Sequence, residues 1–250
     1  MNKRYIAYLD ILGFKDLARN NDIGHLQELY KRSIEDGFKE SLGLANKIGT
    51  QFIDNKLNVI VISDSVIIWS EYDSFNAFAK LVVTVNFLMY SFMYKGLPLR
   101  GAIVYDELEA ISIPEYIDVF NLPSKSIIGK GLINAYSLET SQNLVSCLIE
   151  DDCINHFKDQ TPTENNNVDI FNFKEMVHWE FIIEYDLPTK EGLNRVHVIN
   201  WPRAIRTKKP SAEDIRAQFS KHKKNIDNNE VRTKIENTIS FVNYCWSKRS

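Results

Sequence analysis

Apolar positions along the chain change period several times, and each change predicts an element. Tyr5-Ile6-Ala7-Tyr8-Leu9 is an unbroken apolar and aromatic run ended by Asp10, the pattern of a short buried strand. Gly13 then allows a tight turn, and Lys15, Asp16, Leu17 and Ala18 begin a helical pattern. Ile23, Leu26, Leu29, Tyr30 and Ile34 recur at helical spacing, with Phe38 and Leu42 extending the stripe into a long amphipathic helix. Two β-branched runs, Leu57 to Ile62 and Val66 to Ser70, flank Ser63-Asp64-Ser65 and predict a hairpin with an acid at its tip. Runs this apolar predict central strands, so Asp64, like Asp10, should emerge from the middle of a sheet. A second long helix spans 75–95, closed by Gly96 with Pro98 beyond it. Strands follow at 99–105 and 126–128, and Gly129-Lys130-Gly131 leads into a helix whose apolar face is Leu132, Ala135, Tyr136 and Leu138. The remainder predicts a strand at 143–149, a short helix at 151–157 and a polar loop at 158–169. Strands at 178–185 and 195–200, joined through Pro188 and Gly192, precede two helices from Ser211 and from Asn229.

Strand, helix, hairpin, helix, strand is the order of a ferredoxin-like βαββαβ core, so the fold class is α+β with C-terminal strand and helix extensions. Residues 1–145 form the core and 146–250 the remainder of the same domain. In that core the first strand and the hairpin can lie side by side, which would bring Asp10 and Asp64 together. Two carboxylates at neighbouring strand ends suit a pair of divalent cations about 3.5–4 Å apart. The backbone N–H groups of Ile11, Leu12, Gly13 and Phe14 would point outward at a helix N-terminus, a cradle for phosphate. A carboxylate beside an anion site is electrostatically awkward unless a cation joins them. The plainer alternative is that Asp10 ends its strand and caps the next helix.

Composition narrows the chemistry. The 250 residues are 44% apolar and 25% charged, which suits one large soluble domain. The net charge of −3 provides no basic field for a template strand or another nucleic acid, so binding of an anion must be local. Three cysteines without C-x-x-C spacing predict a reduced, cytoplasmic protein with neither disulfide framework nor zinc site. Lys3 and Arg4 are followed by only five apolar or aromatic residues before Asp10, too few for a signal peptide. The longest apolar segment, 75–94, carries Asn76, Lys80, Thr84 and Asn86 and predicts a buried helix rather than a membrane span.

Asp10-Ile11-Leu12-Gly13-Phe14 resembles the D-x-x-G-F signature of class III nucleotidyl cyclases. Ile62-Ser63-Asp64-Ser65 resembles their hairpin with the second metal-binding aspartate, and Gly129 to Glu139 (GKGLINAYSLE) resembles their G-x-x-V-N-x-A-x-x-L-E helix. With Leu97 to Val104 (LPLRGAIV) in between, the resemblance runs from residue 5 to 140 and is nearest to the pyrimidine nucleotide cyclases of bacterial Pycsar anti-phage systems. It implies Asp10 and Asp64 as ligands of two Mn²⁺ or Mg²⁺ ions, with the Ile11 carbonyl as a further ligand. It also implies a homodimer with active sites at the interface, to which Lys130, Asn134 and Tyr136 would be lent by the partner. The implied reaction turns a pyrimidine nucleoside triphosphate, UTP ahead of CTP, into its 3′,5′-cyclic monophosphate, a messenger for a separate effector. Ile60 and Ser126 stand where adenylyl cyclases carry their charged adenine-reading pair, and Ile133 and Ser137 where they carry the helical asparagine and arginine. A cyclase-like module that only binds nucleotide or dimerises is the alternative. Tyr136 also fits a core stripe, Arg100 a strand-end surface charge, and the basic run after Trp201 a solvated loop.

Overall fold

A computed structural model describes residues 2–48, 56–112, 125–158 and 180–249. The polar stretch 158–169 falls, but for Lys158, outside the described residues. The opening run forms β1 (Lys3–Ile11), followed by α1 (Phe14–Asn20) and α2 (Ile23–Ile48). The hairpin is β2 (Leu57–Ile62) and β3 (Ser65–Ser70), then come α3 (Phe75–Tyr94) and β4 (Leu99–Glu107). All of these match their predicted elements to within a few residues. A ribbon of β5 (Glu109–Ser112) and β6 (Lys125–Ile128) leads to α4 (Lys130–Ser141), β7 (Cys147–Ile149) and α5 (Asp151–Lys158). The chain ends with β8 (Ile182–Thr189), β9 (Gly192–Ile199), a 3₁₀ turn (Trp201–Ala204), α6 (Ala212–Ser220), a second 3₁₀ turn (Lys221–Lys223) and α7 (Asn229–Ser247).

Seven strands make one sheet in the order β2-β3-β1-β4-β7-β9-β8, antiparallel everywhere except between β4 and β7. Its first four strands have the ferredoxin-like order, and β7, β9 and β8 continue the same sheet. Strand alternation gives β1 two faces. Tyr5, Ala7, Leu9 and Ile11 are buried in the large core with α2 and α3, whereas Arg4, Ile6, Tyr8 and Asp10 face the other side. On that second face the described residues form a small cluster, where α4 lies across β4 and β1. Gly131 permits the close seat of α4, since a Cβ there would stand 2.3 Å from Ile6 Cδ1. Helix α3, long and apolar enough to cross a membrane, is buried along most of its length between sheet and α2.

Four expectations change. β2 lies at the edge of the sheet rather than at its centre, with Val59, Val61 and Ile62 exposed. The predicted fifth strand, 126–128, pairs with β5 in its own ribbon, outside the main sheet. The strand predicted at 143–149 shrinks to Cys147–Ile149, and upstream of it side chains take the Asn143 carbonyl and both backbone groups of Val145. Asn237 donates to the Asn143 carbonyl (2.9 Å), Thr238 Oγ1 accepts from Val145 N–H (3.0 Å) and Trp201 donates to the Val145 carbonyl (3.1 Å). Pro188, predicted to lie between strands, is inside β8 and pairs with Leu193. β8 is an edge strand, where a missing N–H costs least.

Candidate active site

Pairing register builds the site. Asp10 stands between Ser65 of β3 and Arg100 of β4, and all three side chains fall on the sheet face that carries α4. Asp64 sits in the two-residue hairpin turn beside them, where Ser63 adopts a left-handed φ of 54°. The turn is tied to β1 because Ile11 N–H donates to the Asp64 carbonyl at 3.0 Å. It is tied to α2 because the Tyr30 hydroxyl donates to the Ser63 carbonyl. The structure thus joins the two predicted acids at the same end of the same sheet. Asp10 is no helix cap: Gly13 is the N-cap of α1, with no side-chain cap bond.

Charge at this end is poorly balanced. Partial burial pushes the Asp10 carboxyl up to about 7, Glu139 and Asp64 push in the same direction, and Arg100 and a Ser65 hydrogen bond oppose them. A carboxylate only accepts, so Ser65 donates to Asp10 and the Tyr8 hydroxyl donates to Ser65 Oγ at 2.7 Å. Arg100 is not a surface charge: it is buried, forms an ion pair with buried Glu139 and donates to the Gln142 carbonyl at 2.8 Å. Burial raises the Glu139 carboxyl and Arg100 pulls it back. One guanidinium therefore serves two acids, with Asp64 as a third nearby.

The phosphate cradle is narrower than its sequence. Ile11 N–H is committed to Asp64, and Leu12 N–H donates to the Pro98 carbonyl at 2.9 Å. Gly13 and Phe14 remain at the start of α1, where N–H groups have no intrahelical partner. Behind this turn lies Lys224, buried, donating to the Gly96 carbonyl at 2.7 Å, its ammonium pushed down to about 7 by burial.

The α4 candidates separate. Tyr136 is exposed rather than core and packs edge-on against Tyr8, with ring centroids 5.6 Å apart, one pleat from Asp10. Asn134 donates to Asp106 Oδ2 at 2.6 Å and Lys130 faces Glu107 at 3.6 Å. Asp106 lies six residues beyond Arg100 on β4, about 20 Å at strand rise, so neither side chain joins Asp10 within one subunit. Ile60 lies beside Ile67 on the open face, and Ser126 is exposed on the ribbon. Beyond the 3₁₀ turn, Arg206 is exposed and pairs with Glu40 at 3.8 Å.

The donor set fits a hard divalent cation. Two carboxylates and a backbone carbonyl are oxygen ligands of the type Mg²⁺ and Mn²⁺ take, and Mg²⁺ completes its shell with water and substrate phosphates. Among the described residues no group of three or more His, Cys, Asp or Glu side chains is set to hold a metal, so nucleotide and water would supply the remaining ligands. The Asp10 carboxyl is raised first by burial and then by Glu139 and Asp64, and a bound cation would offset both.

No family model and no curated protein matches the chain. Among solved structures it is similar to a bacterial light-regulated adenylyl cyclase, with a TM-score of 0.49, 11% identity and coverage of 88% of this chain. The match spans 58% of that protein's length. It is also similar to the dimeric guanylyl cyclase domain of the RhoGC fusion protein from the aquatic fungus Blastocladiella emersonii (TM-score 0.44, 9% identity, 80% of this chain and 96% of that one). A third likeness is to the catalytic core of a rhodopsin-guanylyl cyclase with converted specificity, in complex with ATPαS (TM-score 0.40, 13% identity, 79% and 94%). All three scores are below 0.5, so the chemistry of the site rests on Asp10, Asp64 and their neighbours.

Proposed function

We propose that the protein is a divalent-metal-dependent nucleotidyl cyclase acting on a pyrimidine nucleoside triphosphate. The observation that carries this is the junction of Asp10 and Asp64 at one sheet end, held by the Ile11 to Asp64 bond and short of positive charge. A domain that only dimerised would gain nothing from two repelling acids there. When bound, a pair of Mg²⁺ or Mn²⁺ ions would activate the ribose 3′-hydroxyl and neutralise the leaving pyrophosphate. Asp10, Asp64 and the Ile11 carbonyl would hold them. Ser65 and Tyr8 orient Asp10, and Gly13 and Phe14 offer N–H groups to phosphate.

The site is completed by a second copy of the chain. Lys130 and Asn134 lie at the far end of β4, beside Glu107 and Asp106 and away from their own Asp10, and would be lent to a partner's site. Ile133 and Tyr136 on α4, Ile128 just before it and Ile62 at the end of β2 leave large apolar side chains exposed. A homodimer would bury them.

Neutral residues at Ile60 and Ser126 leave no charged pair for adenine, in keeping with a pyrimidine, UTP ahead of CTP as the sequence resemblance implies. Selection would rest on one or two hydrogen bonds, each about 1–3 kcal/mol when left unpaired, or roughly one to two decades in rate. By the same resemblance the product serves as a messenger for a separate effector in anti-phage defence. Incubating the protein with UTP, CTP, ATP and GTP together in Mn²⁺, with products identified by mass spectrometry, tests the assignment. Cyclic UMP should dominate, and a dominant cyclic purine would overturn the pyrimidine reading. Ile133 and Ser137, at the places of the usual transition-state groups, favour a second reading as a nucleotide-binding module without turnover. Nucleotide binding with no cyclic product from any of the four would decide for it.

A further inference from the structure

The segment 221–225, in the C-terminal part of the chain, reaches back across the fold and fastens two turns at the candidate site. Its first link is to the end of α3, where the last carbonyls of a helix lack intrahelical partners and favour cations. Lys221 donates to the Tyr94 carbonyl (3.1 Å), His222 Nε2 to that of Lys95 (2.7 Å) and Lys224 to that of Gly96 (2.7 Å). Three side chains thus occupy three consecutive carbonyls. The second link is to α1: Asn20 donates to the Lys223 carbonyl and Asn21 to that of His222, each at 2.8 Å, and Asn225 N–H donates to Asp16 at 3.3 Å.

Holding the segment this way is costly. His222 and Lys223 have φ of 59° and 58°, a left-handed pair without glycine, at about 1–3 kcal/mol each. Both turns they fasten are glycine turns with positive φ, Gly13 at 78° and Gly96 at 79°. A Cβ on Gly96 would come within 2.6 Å of Lys221 Cβ, and one on Gly13 within 3.2 Å of Lys224 Cδ. The Lys224 stem therefore lies against the Gly13 turn while its head holds Gly96, two residues before the Pro98 carbonyl that accepts from Leu12.

We propose that Lys224 is a positioning residue of the metal site: its stem and its bond to Gly96 lock the turn from Leu12 to Phe14 so that Asp10 stays directed at Asp64. The proposal rests on the metal-dependent reading of the site. It gives the chain after residue 145 a part in the reaction without any contact to substrate.

Lys224→Met keeps most of the stem and removes the bond; taking out a buried charge offsets the loss of the Gly96 carbonyl's donor, so the fold should persist. Amide hydrogen exchange of residues 11–17 should accelerate roughly tenfold while β8 and β9 exchange as in the parent protein. Mn²⁺ affinity, measured by the electron paramagnetic resonance of the free ion, should weaken about tenfold, as for the loss of an outer-shell partner. Unchanged exchange at 11–17 overturns the proposal, and so does faster exchange with unchanged Mn²⁺ affinity. A parent protein that binds no Mn²⁺ and turns over no nucleotide would instead overturn the functional reading, and the exchange result would still decide whether Lys224 locks the turn.

Discussion

The two ends of β1 treat charge in opposite ways. At the Arg4 end the guanidinium is spent on backbone carbonyls, those of Leu108 and Ser70 at 3.3 Å each and that of Glu71, while Asp106 on the neighbouring strand accepts from Asn134. Donors meet acceptors there, and Tyr5 stacks on Tyr105 beside them at 4.8 Å. At the Asp10 end, by contrast, three carboxylates (Asp10, Asp64 and Glu139) gather around one arginine, and the Asp10 carboxyl is driven upward. Both ends belong to the same nine-residue strand with the same β4 partner. The fold is able to satisfy such groups and leaves one end negative, which suits the proposed cation site.

The largest effects come from removing that negative charge. Asp10→Asn and Asp64→Asn should each lower cyclic nucleotide formation by about three decades or more while the fold persists. Turnover near the parent level in either variant, assayed in Mg²⁺ and in Mn²⁺, would show that the acids are not the metal ligands. Substitutions at the arginines compare the two ends directly. Arg100→Met leaves Glu139 buried without its partner and should cost about 3–5 kcal/mol in urea unfolding, most of it recovered in the double variant Arg100→Met/Glu139→Leu. Arg4→Met exposes only carbonyls at a partly open edge, and should cost about 1–2 kcal/mol. Equal losses would erase the distinction between the ends.

A smaller effect concerns pH. The Asp10 carboxyl titrates near 7 in the folded protein and at its ordinary value of 3.8 in the unfolded chain. Between those values the folded state binds more protons. Asp10 thus contributes stability that is fully present below pH 3.8 and is lost as pH rises through 7. Asp10→Asn should therefore stabilise the metal-free protein at pH 8, by about 1–2 kcal/mol once partial solvent access is allowed for, and hardly at all at pH 4. Saturating Mn²⁺ should reverse the order at pH 8, because only the parent protein gains the ion. Thermal unfolding at the two pH values, with and without Mn²⁺, checks both signs.

What the sequence discloses is local. Apolar runs and glycine turns reveal β1, the β2–β3 hairpin, α2, α3 and α4, and their order suffices to place Asp10 beside Asp64. Position within the sheet is less visible: β2 is as apolar as a central strand yet lies at the edge, with Val59, Val61 and Ile62 exposed. β5 has four residues and pairs only within its ribbon, so no period marks it. Upstream of Cys147, the Asn143 carbonyl and both backbone groups of Val145 are taken by Asn237, Thr238 and Trp201 from far along the chain. The same distance hides Glu139 as the partner of Arg100 and Lys224 as the neighbour of Gly13. A lone arginine before Gly101 in an apolar strand and a lysine in a basic run carry no local sign of burial.

Mn²⁺ titrations of the parent protein and Asp64→Asn in the presence of UTP, with the free ion followed by electron paramagnetic resonance at pH 6 and pH 8, test the two-aspartate site most directly. The parent should take up two ions per site, more weakly at pH 6, where protons compete at Asp10, and Asp64→Asn should take up no more than the nucleotide alone. Equal uptake by both proteins, or affinity that is the same at the two pH values, would contradict a metal centre built on Asp10 and Asp64.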